Sequence, residues 1–462
     1  MQRYKEKNTI ILCKKKGELT IFLALLLTIV IGFLVVLIES VRVQGIRLYI
    51  EEVFDMGLHS CLGEYEQELF KRYDLLFVDT SYRGAEKGNI DNLKKHLAEY
   101  IEENMENSGN KGNWYKEELE DLEITGYMYA TDENANVFAA QAEEYIEQFG
   151  EIKYLPSMQE KSELLSSIKE IDFFMEWDEI LAKIDSYGCA ITNPGKIVRG
   201  MIVPKDKFLN VGTLANIGYK DVVSNRKLNK GKYSGLKVEE KNSSLIYEYI
   251  MQKNGYYTNT NSNQVLSGEL EYIIYGKYSD EENLDLLIDD LLEKRESDNL
   301  DAIKSDALKV AKAKSRAIFI LGEKSVDPYL VKLVSDSIIY AWAYAESAID
   351  VSRLLNGGRC VIKKTGNDIE LNINELLLFQ SRLRESGGKG EDYLDYLGGL
   401  IINVPLNVVK YRQLDIIEIN LRSYRNDGFR ADCLIEYMEG NGYFSSRYGY
   451  SHSIMRDLRY EY

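Results

Sequence analysis

The stretch that decides the architecture is LTIFLALLLTIVIGFLVVLI, residues 19–38. It contains no charged residue, and twenty helical residues rise by about 30 Å, which matches the hydrocarbon core of a bilayer. A signal peptide has a shorter apolar core, of about 7–15 residues, and ends at a small-residue cleavage site. The sequence that follows, ESVRVQGIR, has no such site. The stretch therefore predicts one uncleaved transmembrane helix over residues 18–40.

The flanks of this stretch predict its orientation. Residues 1–17 form a basic tail with six Lys or Arg residues and one acid, and the tail includes the cluster KKK at 14–16. Positive residues stay on the cytoplasmic side of a membrane. We therefore expect a single-pass protein of the cell membrane, with a cytoplasmic N-terminus and an extracellular domain over residues 81–462.

The helical pattern continues beyond the membrane. From residue 39 to about 73 there is no proline, and apolar residues recur at steps near i+3 and i+4, as in an amphipathic helix. We call this set the apolar stripe: Val43, Ile46, Ile50, Val53, Phe54, Leu58, Leu62 and Leu69. Such a stripe must be covered, either by the chain's own body or by neighbouring helices of partner proteins. The sequence thus predicts a stalk helix over residues 41–80 and makes the stripe the candidate partner interface.

The rest of the chain mixes helix and strand signals. DLEITGYMYAT (121–131) is strand-like, Asp327-Pro328 opens a helix over about 328–356, and other helices are expected at about 281–295, 299–321 and 406–424. RCVIKKTGNDIELNI looks like a hairpin, and FRADCLIEYM followed by Asn441-Gly442 predicts a C-terminal β-hairpin. Residues 190–265 are predicted to form an irregular insertion. The fold class is α+β, in which a membrane helix precedes a mixed helical and antiparallel β domain.

Composition excludes several functions. The net charge is −17, and the acidic excess lies entirely beyond the basic tail. A body of this charge lacks the basic footprint that nucleic-acid binding needs. The five cysteines form no CxxC pair, so a zinc site of the usual spacing is not expected. Disulfides among Cys61, Cys189, Cys360 and Cys433 are left open.

Catalytic signals are sparse. The chain has three histidines, and it lacks the HExxH, GxSxG and Walker A motifs. The neighbours His59, Ser60 and Cys61 point in different directions on a helix, so they are not expected to form a catalytic group. We therefore predict no catalytic residue, no cofactor and no metal.

Two acidic patterns leave alternatives open. Asp132, Asn134, Asn136 and Glu143 have calcium-loop spacing, but position 6 is Val137 where the turn needs glycine, so a helix N-terminus is the simpler interpretation. Glu346 and Asp350, at i and i+4 in WAYAESAIDVSRLL, would share a proton in a hydrolase. The structural alternative pairs Asp350 with Arg353 and leaves Glu346 to a backbone group or an arginine.

The N-terminal segment KKKGELTIFLALLLTIVIGFLVVLIESVRVQGIR resembles the start of TadE/TadG-type pseudopilins of tight-adherence (Tad) pili. Further pieces are similar to uncharacterised single-pass proteins of Gram-positive bacteria: YDLLFVDTSY, QVLSGELEYIIYGK, WAYAESAIDVSRLLNGG and DYLDYL. The resemblance implies a place among pilus or secretion components and no catalytic residues. Prepilins have glutamate five residues after the cleavage site, but here Phe22 holds that position after Gly17 and Glu18. We therefore expect the Gly17–Glu18 bond to stay intact.

The leading hypothesis is a membrane-anchored, non-enzymatic structural or assembly subunit of a Tad-like pilus or secretion apparatus. Its expected partners are the lipid bilayer and other pilin-like or Tad proteins, with homo- or hetero-oligomers formed through the N-terminal helix. The alternative is a cell-surface hydrolase that acts on envelope polymers.

Overall fold

The computed structural model describes residues 2–83, 88–107, 117–187, 221–233, 244–259, 265–322, 327–425, 428–446 and 449–460, with side chains from residue 19 onward. The α-helices are α1 (Gln2–Leu62), α2 (Gln67–Tyr73), α3 (Ile90–Asn107), α4 (Asp132–Phe149), α5 (Leu155–Ser166), α6 (Phe173–Asp185), α7 (Leu245–Lys253), α8 (Glu269–Tyr275), α9 (Asp280–Ser305), α10 (Ala307–Leu321), α11 (Pro328–Leu355), α12 (Tyr393–Ile401) and α13 (Leu406–Arg425). The strands are β1 (Val78–Asp79), β2 (Glu117–Tyr129), β3 (Leu434–Ser446) and β4 (Ser451–Arg459). The predicted α+β class is confirmed.

The chain folds into two compact units. Unit 1 comprises Met1–Glu64, Ile90–Tyr127 and Tyr437–Arg459, and unit 2 comprises Tyr65–Asn89, Met128–Glu436 and Tyr460–Tyr462. The predicted boundary at residue 80 lies within unit 2, and each unit is assembled from separate parts of the chain.

Unit 1 is built around the half of α1 that follows the apolar stretch. Helix α3 and strand β4 pack against α1. The ring of Phe54 meets that of Phe444 edge-on, with the ring centroids 6.3 Å apart. Gly440 and Gly442 of β3 also lie under the Phe54 ring, where a side chain would collide with it. These contacts enclose one face of the helix within its own unit.

Unit 2 is mainly a helical assembly. Helix α11 packs against α9, α10 and α6, and the core between them holds large apolar side chains such as Trp342 and Leu354. Helix α11 begins as predicted, because the Asp327 carboxylate accepts the amide N–H of Tyr329 at 2.9 Å and Pro328 takes the first helical position.

The four strands form one sheet in the order β1–β3–β2, with β4 also paired to β3. Strand β1 pairs antiparallel with the start of β3, and β4 pairs antiparallel with its later part. The C-terminal hairpin is therefore present, but its predicted turn is wrong. Asn441 and Gly442 lie inside β3 opposite Met455 and Ile454, so the chain reverses after Ser446 instead.

Three other predictions of elements need correction. The stalk helix ends at Leu62, and a separate helix starts at Gln67 because the Glu66 carboxylate accepts the amide N–H of Glu68. The helix expected over 299–321 is divided at Asp306, whose side chain caps the start of α10.

The third correction concerns RCVIKKTGNDIELNI. Within the described residues this segment forms no β-ladder. It contains one isolated β-bridge, between Cys360 and Glu391, and it enters 3₁₀ segments at Gly366–Asp368 and Ile373–Arg382.

Part of the region predicted as an irregular insertion is ordered. The described stretches 221–233 and 244–259 contain a 3₁₀ turn at Val223–Asn225 and helix α7. Tyr249 and Ile250 of α7 are buried. Residues 190–220, 234–243 and 260–264 lie outside the described ranges.

Candidate functional site

The N-terminal helix carries the membrane signal. Among the described residues, one helical stretch, Leu19–Leu62, is long and apolar enough to cross a membrane, and its most apolar 18-residue window has a mean hydropathy of 3.3. None of that window is buried. A helix that is apolar on all sides and covered by no protein matches lipid better than water.

The apolar stripe is covered within the chain. Val43 is half-buried, and the other residues of the stripe are buried: Ile46, Ile50, Val53, Phe54, Leu58, Leu62 and Leu69. Of the two alternatives for covering the stripe, the structure shows the first. The opposite side of α1 remains open, with Val41 and Leu48 exposed at 69% and 66%.

The acids Glu346 and Asp350 lie in a buried ion cluster. The Nζ of Lys364 donates to Glu346 Oε1 and to Asp350 Oδ1, at 2.8 Å each. We call this group, with Asn299, the Lys364 cluster. Asn299 Nδ2 donates to the second oxygen of Asp350 at 3.1 Å. Both carboxylates are therefore engaged by a cation and by neutral donors, as buried charges require.

The partner predicted for Asp350, Arg353, is wrong. Arg353 pairs with Glu370 instead, at 2.7 Å. Glu346 does bind backbone groups as expected, because the amide N–H groups of Glu370 and Leu371 donate to its two oxygens at 3.0 and 2.9 Å. Lys364 lies in RCVIKKTGNDIELNI, the segment that the sequence predicts to be a hairpin. Nothing in the neighbouring sequence therefore indicates that Lys364 pairs with α11.

Electrostatics in the Lys364 cluster favour the charged forms. Burial by itself raises the pKa of Asp350, but the Lys364 ammonium and the Arg295 guanidinium outweigh it and hold that pKa below its usual value. Burial lowers the pKa of Lys364, and the Asp350 and Glu346 carboxylates raise it by more. Lys364 bonds both carboxylates, so the Lys364 cluster is arranged as a buried ion network.

A second set of acids in unit 2 accepts hydrogen bonds mainly from neutral donors. We call Glu269, Glu271 and Asp280 the Glu271 cluster. Glu271 Oε1 accepts the amide N–H of Tyr257 at 2.9 Å and the hydroxyl of Tyr393 at 2.5 Å. Within the described residues, Glu271 Oε2 and Asp280 Oδ1 are buried without a hydrogen-bond partner.

Two acids of the Glu271 cluster have a pKa near neutrality. Glu269 accepts from the amide N–H of Gly255 at 2.8 Å and from Asn420 Nδ2 at 2.5 Å, which are both neutral donors. Burial, with a smaller contribution from the neighbouring Asp280 carboxylate, raises the pKa of Glu269 and of Glu271 to about 7. A pKa in this range suits a general acid, but each residue is only 1% exposed, so substrate has no route to either carboxyl.

A third buried group uses residues from the predicted insertion. Arg226 forms ion pairs with Glu418 and Asp432, and Ser224 Oγ donates to Asp415 at 2.5 Å. These contacts attach the described stretch 221–233 to α13. The sequence could not show them, because the partners lie about 190–206 positions apart.

The calcium-like pattern does not form a cation site. Asp132 accepts the amide N–H groups of Tyr129 and Gly231, at 2.8 and 3.0 Å to Oδ2. Asn136 accepts from the ammonium of Lys410 at 2.5 Å. Across the described ranges no group of three or more His, Cys, Asp or Glu residues is arranged to hold a metal ion.

Three of the cysteines left open for disulfides are described, and Cys189 lies outside the described residues. Cys61, Cys360 and Cys433 are buried and free, and burial raises the pKa of Cys360 and Cys433 to about 12, which keeps them as unreactive thiols. Ser60 Oγ donates to the carbonyl of Met56 at 2.8 Å, away from exposed His59.

An open polar cleft of about 410 Å³ lies in unit 2, lined by Gln67, Glu68, Arg83, Tyr424 and Arg425. Its arginines are already paired internally. Arg425 NH1 lies 3.0 Å from Glu66 and from Asp79, and Arg83 NH2 lies 3.3 Å from Glu66. The balance of charge in this cleft favours neither an anion nor a cation.

The fold thus defines an α+β protein with one candidate membrane helix. Residues 199–446 match DUF5702, a family of unknown function, and the chain belongs to this family. No curated protein and no solved structure matches the chain. The match covers both acid clusters, which lie in unit 2.

Proposed function

We propose that this chain is a membrane-anchored, non-enzymatic structural or assembly subunit of a surface apparatus, of the Tad-like pilus or secretion kind. The observation that carries the proposal is the continuity of α1, which runs from the exposed apolar stretch into the folded part of unit 1. A single helix of this kind anchors the chain in the membrane and also forms part of the folded body. It therefore holds the body at the membrane surface. The N-terminal basic tail would be cytoplasmic and the body extracellular.

The exposed side of α1 is where partner contact is expected. Because the chain itself covers the apolar stripe, that set of residues is not free for partners in this conformation. Val41 and Leu48, seven positions apart, lie on the same helix face, and Met56 continues it. Together with residues 19–38, which are exposed throughout, this face offers a continuous surface for other membrane helices.

The state of the buried acids supports a structural role more than the hydrolase alternative. In the Lys364 cluster every carboxylate oxygen of Glu346 and Asp350 has a protein donor. In the Glu271 cluster the acids are enclosed. A hydrolase would need a carboxylate that opens onto a substrate groove.

Site-specific photo-crosslinking tests the partner face. A photoreactive residue at Leu48 in native membranes should give adducts with other membrane components of the apparatus. The matched control is Ile50, two positions away and 1% exposed, which should give none. Absence of adducts at both Val41 and Leu48 would contradict the proposal, and so would equal adducts at Ile50.

Reporter fusions test the topology separately. Fusions after Lys16 and after Tyr462 should report opposite sides of the membrane. If both report the same side, the orientation is wrong, whatever the crosslinking shows.

A further inference from the structure

Helix α10 differs in charge from the chain that carries it. Its sequence, ALKVAKAKSRAIFIL, has four basic residues and no acid: Lys309, Lys312, Lys314 and Arg316. The preceding helix, α9, begins with three acids in its first turn, and the whole chain has a net charge of −17. A basic helix in an acidic protein is a local feature that the average composition does not explain.

Several large apolar side chains of the same helix are exposed. The residues of α10 that are buried are the small ones, Ala313 and Ala317, and Ala317 packs in a core with Leu330 and Val334 of α11. Phe319 is 76% exposed, and Leu308 is 66% exposed. In an ordinary surface helix the large apolar residues face the core. In α10 Leu321 packs against that core, but Leu308 and Phe319 do not.

The spacing places charge and apolar surface together. Leu308, Lys312 and Phe319 follow at i, i+4 and i+11, and therefore share the side of the helix that faces away from Ala313 and Ala317. The Arg316 guanidinium lies 5.3 Å from the centroid of the Phe319 ring. Lys and Arg extend their charged ends beyond an apolar surface, so both kinds of residue can meet one partner.

Two exposed tyrosines come from segments that share a core with the C-terminal part of α10. Leu330 and Ile184 pack in the same core as Ala317. Next to them, the half-exposed rings of Tyr329 and Tyr187 lie with their centroids 6.3 Å apart. Tyrosine rings at the rim of an apolar patch are typical of surfaces that meet the interfacial zone of a bilayer.

We infer that the outward face of α10 docks on an anionic lipid surface. Charge complementarity selects this occupant, because Lys312, Lys314 and Arg316 are exposed on a helix without an acid, and such a set matches a sheet of anionic headgroups. The exposed Phe319, Ile318 and Leu308 would enter the headgroup boundary. This docking rests on the proposed function in one respect, the membrane anchor. The anchor tethers unit 2 and so raises the local concentration of bilayer around it.

Hydroxyl-radical footprinting of the full chain in nanodiscs tests the inference. Oxidation of Phe319 is compared in discs of purely zwitterionic lipid and in discs that contain phosphatidylglycerol. We expect Phe319 and Ile318 to be protected in the anionic discs, and the protection to vanish at high salt. Leu377 serves as an internal control, since it is 90% exposed on the 3₁₀ segment Ile373–Arg382 and should be oxidised equally in both discs.

Charge variants sharpen the test. K312E/K314E should abolish the protection, because each cation removed lowers the docked population by about fivefold. K312R/K314R, which keeps the charge, should retain it. Equal oxidation of Phe319 in both kinds of disc overturns the inference. Protection of Phe319 that does not depend on the charge of the lipid also overturns it.

Two further outcomes also have defined meanings. Protection in detergent that increases with protein concentration would show a second copy of the chain on this face, and would overturn the lipid assignment. Failure of the chain to co-purify with discs would instead contradict the membrane anchor, which separates the two proposals.

Discussion

The Lys364 cluster and the Glu271 cluster are both sets of buried acids in unit 2, yet they are stabilised in opposite ways. Glu346 and Asp350 receive a lysine ammonium, and the pKa of Asp350 is lowered. Glu269 and Glu271 receive neutral amides and a tyrosine hydroxyl, and their pKa rises to about 7. The difference shows that burial alone does not decide the charge of an acid; the partner in the three-dimensional structure does.

The largest effect should come from removing the cation. Lys364→Met removes the ammonium that bonds both buried carboxylates, Glu346 and Asp350, and should lower the free energy of unfolding by about 3–5 kcal/mol at pH 7. The measurement is urea unfolding of the full chain in detergent, followed by tryptophan fluorescence. Trp177 and Trp342 are buried in unit 2 and report on it.

The neighbouring residue provides the matched control for that variant. Lys363 is exposed and bonds Ser167 at 3.2 Å. Lys363→Met should change the free energy of unfolding by less than about 0.5 kcal/mol. Equal losses in the two variants would mean that the Lys364 cluster is not a stabilising ion network.

The second effect is a pH dependence of opposite sign in the two clusters. Glu269 and Glu271 have a folded pKa of about 7, above the usual 4.5, so their contribution to stability is full below pH 4.5 and is lost as the pH rises through 7. We expect each to lower the free energy of unfolding by roughly 2–3 kcal/mol over that window. Asp350 acts the other way, since its contribution is present above pH 3.8 and is lost below it.

Unfolding curves between pH 4.5 and 8 check this slope. Glu271→Gln cannot ionise, so it should remove about half of the decline. A wild-type free energy that stays level or rises from pH 5 to 7.5 would show that the acids of the Glu271 cluster are not perturbed.

A smaller effect should follow from the hydroxyl that bonds Glu271. Tyr393→Phe removes a donor at 2.5 Å from the carboxyl. The loss should be about 2 kcal/mol at pH 8, where Glu271 is charged, and about 1 kcal/mol at pH 5.5, where it is neutral, because hydrogen bonds to charged groups are stronger. Tyr247→Phe is the control, since Tyr247 donates to the carbonyl of Val404 and its loss should not vary with pH.

The smallest effect concerns an exposed ion pair. Arg382 NH2 lies 3.0 Å from Glu385, and both side chains are partly in water. Glu385→Gln should change the free energy of unfolding by less than about 0.5 kcal/mol, because solvent and salt screen such pairs. A loss as large as that for Lys364→Met would remove the distinction between buried and exposed ion pairs in this protein.

Much of the fold was predictable where the signals are local. The apolar run at residues 19–38, the Asp327-Pro328 helix start and the alternation in the last strands each depend on neighbours in sequence. The prediction failed at Asn441-Gly442, a strong hairpin signal that lies inside β3. There the packing of Phe54 over Gly440 and Gly442 overrides the local turn preference.

The sites were less predictable than the fold. Glu346 and Asp350 stand out because acids in an apolar helix are rare, but their partner Lys364 lies beyond the end of α11 in an irregular segment. Glu271 lies in a short helix whose sequence does not mark it as buried. Arg226, Glu418 and Asp432 come together from three separate parts of the chain.

The sequence by itself determined that a long apolar helix precedes an acidic α+β body, and it predicts that nucleic acid is not a partner. These conclusions depend on length, periodicity and net charge, which are local or summed properties. Only the tertiary structure decided that α3 and β4 cover the stalk, that Lys364 bonds two buried acids, and that α10 leaves Lys312 and Phe319 exposed. Those features depend on which distant residues meet, because burial and counter-ions are set by contacts across the chain and not by neighbours along it.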